Sequence, residues 1–512
     1  MVPRLFGLET EYGIQVEGIA HVDVVVESME LIRSYLQEEF HALWDYALEN
    51  PRRDARGFEV DELLNDTDET IHLQKDRQRK ISLKELKSDL IIPNGARLYN
   101  DHTHPEYSTP ECSSLRDLLA ADRAGERILL ECARRRTAGR DDGGTVRLYK
   151  NNTDFEGHSY GCHENYLLRR SVPFEQIIEG LLPYLVTRQV FAGAGKVGVE
   201  ADSSAGPIPY QLAQRSDFIE VVASVDTMTR RPLVNTRDEP HADAAQYRRL
   251  HLIVGDANMS EYATALKVGT ALLVLELIEL GQVPGFRLAD PIGAVKAISR
   301  DQSHAWTTAL EGGQTASALE IQRAYLDRAA GLAAGRDEET DWVLAEWEAV
   351  LDSLAQDPMS LVGKCDWVTK KWMLDSFAEA ESLDWLRPQD SAWLQSQDLE
   401  YHNIEPEEGL FLMLEAAGDG AVARLTSDKE VARSMVQAPT RTRAYFRGRF
   451  LQKFGSSVRS LNWDSIEFTL GDEVKTLDLR HCVEPGRASY YNAALDRAET
   501  VEELYVSLSS RP

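Results

Sequence analysis

Glu9 and Glu11 lie two apart in the alternating run FGLETEY, so in a strand both carboxylates point to one face while Phe6, Leu8 and Tyr12 point to the other. Hard cations such as Mg²⁺ take carboxylate oxygens, and two glutamates with a common orientation can ligate one or two ions beside a nucleotide. The plainer reading of the pair is a solvated strand face. The run NGARLYNDHTHPEYSTPEC at 94–112 is denser: Arg97, Tyr99 and Asp101 share one strand parity, and His104, Glu106 and Thr109 follow. One acid there can serve as a metal ligand and the other as base or nucleophile, against the alternative of a polar hairpin with an ordinary ion pair. In SYGCHENYL, His163 and Asn165 again share a face, in surroundings unusually polar for a strand and after a glycine that permits close backbone approach. Arg230, Arg231, Arg237, His241, Arg248 and Arg249 form a basic cluster. A guanidinium donates two parallel hydrogen bonds and so suits phosphate or carboxylate, although a charge run can equally be a solvated face.

The elements that must position these groups follow from periodicity. Alternating segments at 4–14, 145–152, 158–168, 216–226, 231–237 and 249–255 read as strands with polar residues on one side, which suggests a curved sheet lining a polar cavity. Helical patterns occupy 173–191, 259–281, 316–333 and 341–355, with Ser260 as an N-cap and Gly281 as a stop. Strand runs separated by long helical stretches favour an α+β fold over a doubly wound one. The segment 50–90 is highly charged and lacks sustained periodicity, so it reads as a long surface insertion. A small carboxy-terminal domain is expected from about residue 436, dividing the chain into 1–435 and 436–512.

Composition narrows the function classes. The chain has 512 residues, enough for two domains, and a formal charge of −28, which argues against general affinity for nucleic acid. An acidic partner would need a local basic patch. No apolar run approaches the roughly eighteen residues that span a bilayer. Residues 1–15 carry glutamates where a signal peptide has its apolar core, so a cytoplasmic location is expected. The five cysteines form no CxxC pair and read as reduced thiols. The clusters contain no GxxxxGK[ST], GxGxxG, HExxH or GxSxG, so P-loop, Rossmann, zincin and serine-hydrolase mechanisms lack their usual support.

Taken together, LETEYG, NGARLYNDHTHPEYSTPEC, LYKNNTD, SYGCHENYL, NTRDEPHADA, YRRLHLIVGDANMSE and TRAYFRG resemble the depupylase and Pup ligase family from residue 4 to about residue 510. That resemblance implies a glutamine synthetase-like fold, in which a curved antiparallel sheet backed by helices holds ATP (or ADP plus phosphate) and Mg²⁺, followed by the small carboxy-terminal domain. It implies Glu9, Glu11, Tyr99, Glu106 and His163 as metal-site residues, Arg97, Thr109, Arg237 and Trp463 as nucleotide or phosphate contacts, and Asp101 as the catalytic aspartate, nucleophile or general base. Arg237, His241, Arg248 and Arg249 are the expected contacts to Pup, a small acidic protein modifier, and pupylated proteins are the other expected partners. Two activities exist on this fold. WDYALENPRRDARGF at 44–58, within an insertion at 41–88, resembles a loop of depupylases that ligases lack, so deamidation of glutamine-ended Pup and cleavage of the Pup–lysine isopeptide bond are expected, with Pup–protein ligation as the alternative.

Overall fold

The computed structural model describes residues 4–36, 39–47, 49–64, 74–76, 78–200, 207–418 and 420–509. Its centre is an eight-stranded sheet. In chain order the strands are β1 (Phe6–Glu11), β2 (Leu90–Ile91), β3 (Arg97–Asp101), β4 (His104–Ser108), β5 (Cys162–Arg169), β6 (Ile219–Ser224), β7 (Arg231–Asn235) and β8 (Tyr247–Leu252). They are arranged β6-β7-β8-β5-β1-β4-β3-β2. Every pairing is antiparallel except β6 with β7, which is parallel, so the sheet is mixed rather than wholly antiparallel as expected. The α+β class holds.

Alternation decides which way each strand faces. Phe6 and Leu8 of β1, Tyr166 and Leu168 of β5 and Leu250 and Leu252 of β8 are buried in one apolar core with the helices. Those helices include α2 (Leu115–Ala138), α3 (Phe174–Thr187), α4 (Glu261–Glu279), α5 (Ala318–Ala333) and α6 (Glu338–Gln356); a short helix, α1 (Leu83–Lys87), precedes them. Helix α4 packs against α2, α3, α5 and α6 and is buried on all sides, which explains its nearly continuous apolar sequence. Ser260 caps it through its hydroxyl, which accepts from the Ala263 N–H, and Gly281 follows with φ +65°. All five cysteines are buried free thiols. Among the described residues, no helix is long and apolar enough to cross a membrane.

A separate apolar cluster lies between helix α7 (Arg443–Phe454) and a three-stranded sheet of β9 (Val458–Leu461), β10 (Ser465–Leu470) and β11 (Glu473–Asp478). Phe446, Phe450, Ile466, Phe468, Leu495 and Leu504 are its buried members. The insertion at 41–88 is not only surface. Trp44, Asp54 and Leu86 are buried, and Trp44 forms a parallel bridge with Leu461, where the Asp45 N–H donates to the Leu461 carbonyl at 2.9 Å and Leu461 N–H to the Leu43 carbonyl at 2.9 Å. The insertion thereby edges the small sheet. Its short hairpin of Arg53–Asp54 and Phe58–Glu59 also docks on the end of β7: Ala55 N–H donates to the Thr236 carbonyl at 2.8 Å, and the Thr236 hydroxyl to Asp54 at 2.6 Å. Residues 48, 65–73 and 77 of the insertion lie outside the described residues.

Candidate active site

The polar face of the sheet carries the chemistry. Register places Glu9 opposite His163 and Glu11 opposite Glu106, while Tyr99 pairs with Glu106 and Asp101 with His104 across the next hairpin. Gly161 makes room for the His163 ring, because a Cβ there would stand 2.1 Å from its Nε2. Glu9, Tyr99, Asp101, Glu106 and His163 line a cavity of about 150 Å³ together with Glu49 and Lys87 of the insertion and Arg97, Arg237, Glu239, His241, Arg249, His251 and Trp463.

Two donor groups stand side by side: Glu9, His163 and His251, and Glu11, Asp101 and Glu106, each with ligand atoms within 4.8 Å of one another. Glu9 accepts from Asn165 Nδ2 at 3.0 Å, Arg249 Nη1 at 3.3 Å and, when that nitrogen carries the proton, His163 Nδ1 at 3.3 Å. Burial pushes the Glu9 carboxyl up, but the His163 hydrogen bond and the charges of His251 and Arg249 outweigh it and hold it far below its ordinary value. Glu106 goes the other way: burial and the neighbouring carboxylates of Asp101, Glu9 and Glu11 push it well up. Carboxylates that repel one another in a buried group are what a hard dication neutralises, so the oxygen set of Glu11, Asp101 and Glu106 fits Mg²⁺. For Asp101, burial raises the carboxyl while His102, Lys87 and Arg97 lower it further, leaving it well below the usual range. Burial and Arg249 push both His241 and His251 well down.

Arg97 is held rather than free. Its Nε donates to Asp89 at 2.9 Å, and its guanidinium lies 4.0 Å from the ring centroid of Trp44 and 3.9 Å from that of Tyr99. Trp44 in turn meets Trp463 edge-on at 5.3 Å, so the insertion and the small sheet together wall the cavity. Arg237 donates to the Val225 carbonyl at 2.8 Å and Thr227 Oγ1 at 3.1 Å. Thr109 sits behind the polar cavity, accepting from Leu8 N–H at 3.0 Å, and lines an adjoining apolar pocket that shares Glu9, His241, Arg249 and Trp463 with it.

One expected pairing fails. Arg248 and Arg249 are consecutive in β8 and therefore face opposite ways. Arg249 lines the cavity and donates to Asn165 Oδ1 at 2.7 Å, whereas Arg248 is buried on the helix side, 5.3 Å above the Phe174 ring and donating to the Arg170 carbonyl at 3.4 Å. The residue that shares the face of Arg249 is His251, which the sequence reading passed over although the same parity that singled out Glu9 and Glu11 selects it. Glu49, Lys87 and Glu239 were also missed, and for the first two no periodic signal existed, since they reach the cavity through the course of the insertion.

The family profile described as Pup-ligase protein matches residues 4–467. This chain belongs to that family. Over 522 residues it is 43% identical to a depupylase of Acidothermus cellulolyticus, with 99% of each chain covered. It is also 43% identical over 397 residues to a Pup–protein ligase of Nakamurella multipartita, covering 76% of this chain and 85% of the ligase. Among solved structures, the Pup ligase PafA in a complex with Pup matches with a TM-score of 0.77 at 31% identity, covering 99% of this chain and 95% of that one. PafA in complex with ADP matches with a TM-score of 0.72 at 36% identity, covering 86% and 97%. The family thus includes members named depupylase and members named Pup–protein ligase.

Proposed function

We propose that this chain is a Pup deamidase and depupylase, an amidohydrolase that converts the terminal glutamine of Pup to glutamate and cleaves the Pup–lysine isopeptide bond. The observation that carries the reading is the end-to-end similarity to a depupylase, 99% of both chains, where the ligase match covers 76% of this one. The insertion supports the same direction, because it supplies Glu49 and Lys87 to the cavity wall and packs Trp44 against Trp463 of that wall.

In this reading Asp101 carries the reaction. Its carboxylate, held ionised, either takes a proton from the water that attacks the amide carbonyl and passes it to the departing nitrogen, or attacks the carbonyl itself to form an anhydride that water then opens, restoring Asp101; by either route water supplies the oxygen of the new carboxylate and the proton with which ammonia or the lysine amine leaves. Glu9, Glu11, Glu106 and His163, with the Tyr99 hydroxyl and with His251 added by the geometry, would hold Mg²⁺, which when bound polarises phosphate and carbonyl oxygens. Arg97, Arg237 and Trp463 would bind and orient ATP or ADP, with Thr109 at the adjoining pocket. Arg237, Arg249 and His241 would receive the acidic end of Pup; Arg248 supports the sheet from behind. Residues 436–512, with their own apolar cluster, are read as a small domain that closes the nucleotide side.

The test is incubation with glutamine-ended Pup, ATP and Mg²⁺. A deamidase produces the mass gain of about 1 Da that replacing an amide nitrogen by oxygen gives, and releases Pup from a pupylated protein. No mass gain, with conjugation of glutamate-ended Pup to lysine instead, would establish the ligase.

A further inference from the structure

The cations around the cavity are mostly spoken for. Arg97 pairs with Asp89, Arg237 bonds to Val225 and Thr227, and Arg249 to Glu9 and Glu239. Lys87 is different: its Nζ stands 3.6 Å from Asp101 Oδ1, the acid on which the reaction depends.

Lys87 owes that position to a short anchored segment. Ser82 and Glu85 form a reciprocal cap at the start of helix α1 (Leu83–Lys87), and Leu86 is buried against Val25 and Met29. The helix stops at Ser88, which adopts φ +49° and sends its N–H back to the Lys84 carbonyl at 3.2 Å. Arg33 Nε donates to Ser88 Oγ at 2.9 Å, and Ser88 donates to the Glu85 carbonyl at 2.7 Å. The next residue, Asp89, accepts from Arg97, so the chain is tied to β3 on the far side as well. The ammonium itself lies 5.4 Å from the Tyr46 ring centroid and 5.9 Å from that of Tyr99, two faces that favour a cation between them. A lysine is ordinarily a flexible, well-solvated point charge, yet this one is only 24% exposed and is gripped along its approach.

We propose that Lys87 is a positioning residue for Asp101, delivered by the carboxy-terminal end of the 41–88 insertion, and that it fixes the orientation of the carboxylate that meets the scissile amide. Asp101 shares one oxygen set with Glu11 and Glu106, and a dication there would relieve their repulsion without fixing which way the Asp101 carboxylate turns. The Lys87 ammonium, 3.6 Å from Oδ1, with His102 Nδ1 3.4 Å from the same oxygen, supplies that orientation. The insertion then does more than wall the cavity: Trp44 and Tyr46 at its start and Lys87 at its end bracket β3, where Arg97, Tyr99 and Asp101 follow one another on a single face. The inference rests on the assignment of Asp101 under the proposed function.

The experiment compares wild type, Lys87→Met, Lys87→Cys and Asp101→Asn by steady-state deamidation of glutamine-ended Pup. Wild-type turnover that Asp101→Asn abolishes upholds the functional reading by itself, so the two failures are distinguishable. With that in hand, Lys87→Met should lower kcat by about 10- to 100-fold with KM for Pup held within about twofold. Lys87→Cys should be equally slow and recover most of its kcat after alkylation with 2-bromoethylamine, which rebuilds an ammonium on a side chain of nearly lysine length. All five native cysteines are buried, so the new thiol is the accessible one, and treated wild type controls for side reactions. Unchanged kcat in Lys87→Met would overturn the proposal. So would a loss expressed in KM alone, which would make Lys87 a substrate-binding residue, or a loss in Lys87→Cys that the restored ammonium does not relieve.

Discussion

Glu111 joins the small sheet's helix to the catalytic sheet and does so in a buried setting that makes its worth calculable. Its carboxylate accepts from Arg443 Nε at 2.8 Å and from Arg447 Nη2 at 2.7 Å. The side chains are 16%, 5% and 0% exposed respectively. Burial raises the Glu111 carboxyl, but Arg447 and Arg443 outweigh it and bring it down from 4.5 to about 2. A carboxyl depressed by that much in the folded state contributes about 3 kcal/mol at neutral pH, from roughly 1.4 kcal/mol for each unit. Because the folded value is the lower one, the contribution is complete above about pH 4.5 and disappears as the pH falls towards about 2. Glu111→Gln should therefore cost about 3 kcal/mol at pH 7, in line with breaking a buried pair while leaving its partner charges in place. Urea unfolding of both proteins at pH 7 and at a series of values below 4.5 measures the gap. A gap under about 1 kcal/mol at pH 7, or one that does not narrow on acidification, would refute the reasoning.

Glu106→Gln removes an anionic ligand from the Glu11, Asp101 and Glu106 group, so nucleotide affinity at low Mg²⁺ should fall by about tenfold or more, read by isothermal titration against Mg²⁺ concentration. Arg249→Met should weaken capture of Pup by about tenfold and flatten its salt dependence, while Arg248→Met, on the opposite face, should leave Pup affinity unchanged in the same fluorescence-anisotropy assay. Gly95→Ala should destabilise by about 2–4 kcal/mol, because φ is +75° and the new Cβ would meet the Ala444 carbonyl oxygen at 2.3 Å; thermal unfolding checks it.

Legibility in the sequence followed the reach of local rules. Strand parity located the faces of Glu9 and Glu11, of Arg97, Tyr99 and Asp101, and of His163 and Asn165, because a period of two is a property of neighbouring residues. The same rule, applied to β8, separates Arg248 from Arg249 and picks out His251; treating the arginines as a charge cluster hid that. The parallel pairing of β6 with β7 has no local signature, since direction is set by the path between strands. The insertion was the hardest part. Its polarity suggested a surface loop, yet Trp44, Asp54 and Leu86 are buried because each meets a partner distant in sequence: Leu461, Thr236 and the residues around Val25. Lys87 belongs to the same class, a charged residue in a charged stretch whose meaning appears only once Asp101 is beside it.

The bond from Arg447 to the Gly95 carbonyl spans 352 residues of chain, and the bridge from Trp44 to Leu461 reaches further still. During synthesis, at about 5–20 residues per second, the first strand and the Asp101 hairpin therefore leave the ribosome tens of seconds before the segment that braces Trp44 and Trp463 exists. A chain interrupted before residue 461 would carry both carboxylate groups yet lack that wall. The cavity is thus completed late: the two donor groups of the sheet are made long before the segment around Leu461 and Trp463 that braces Trp44.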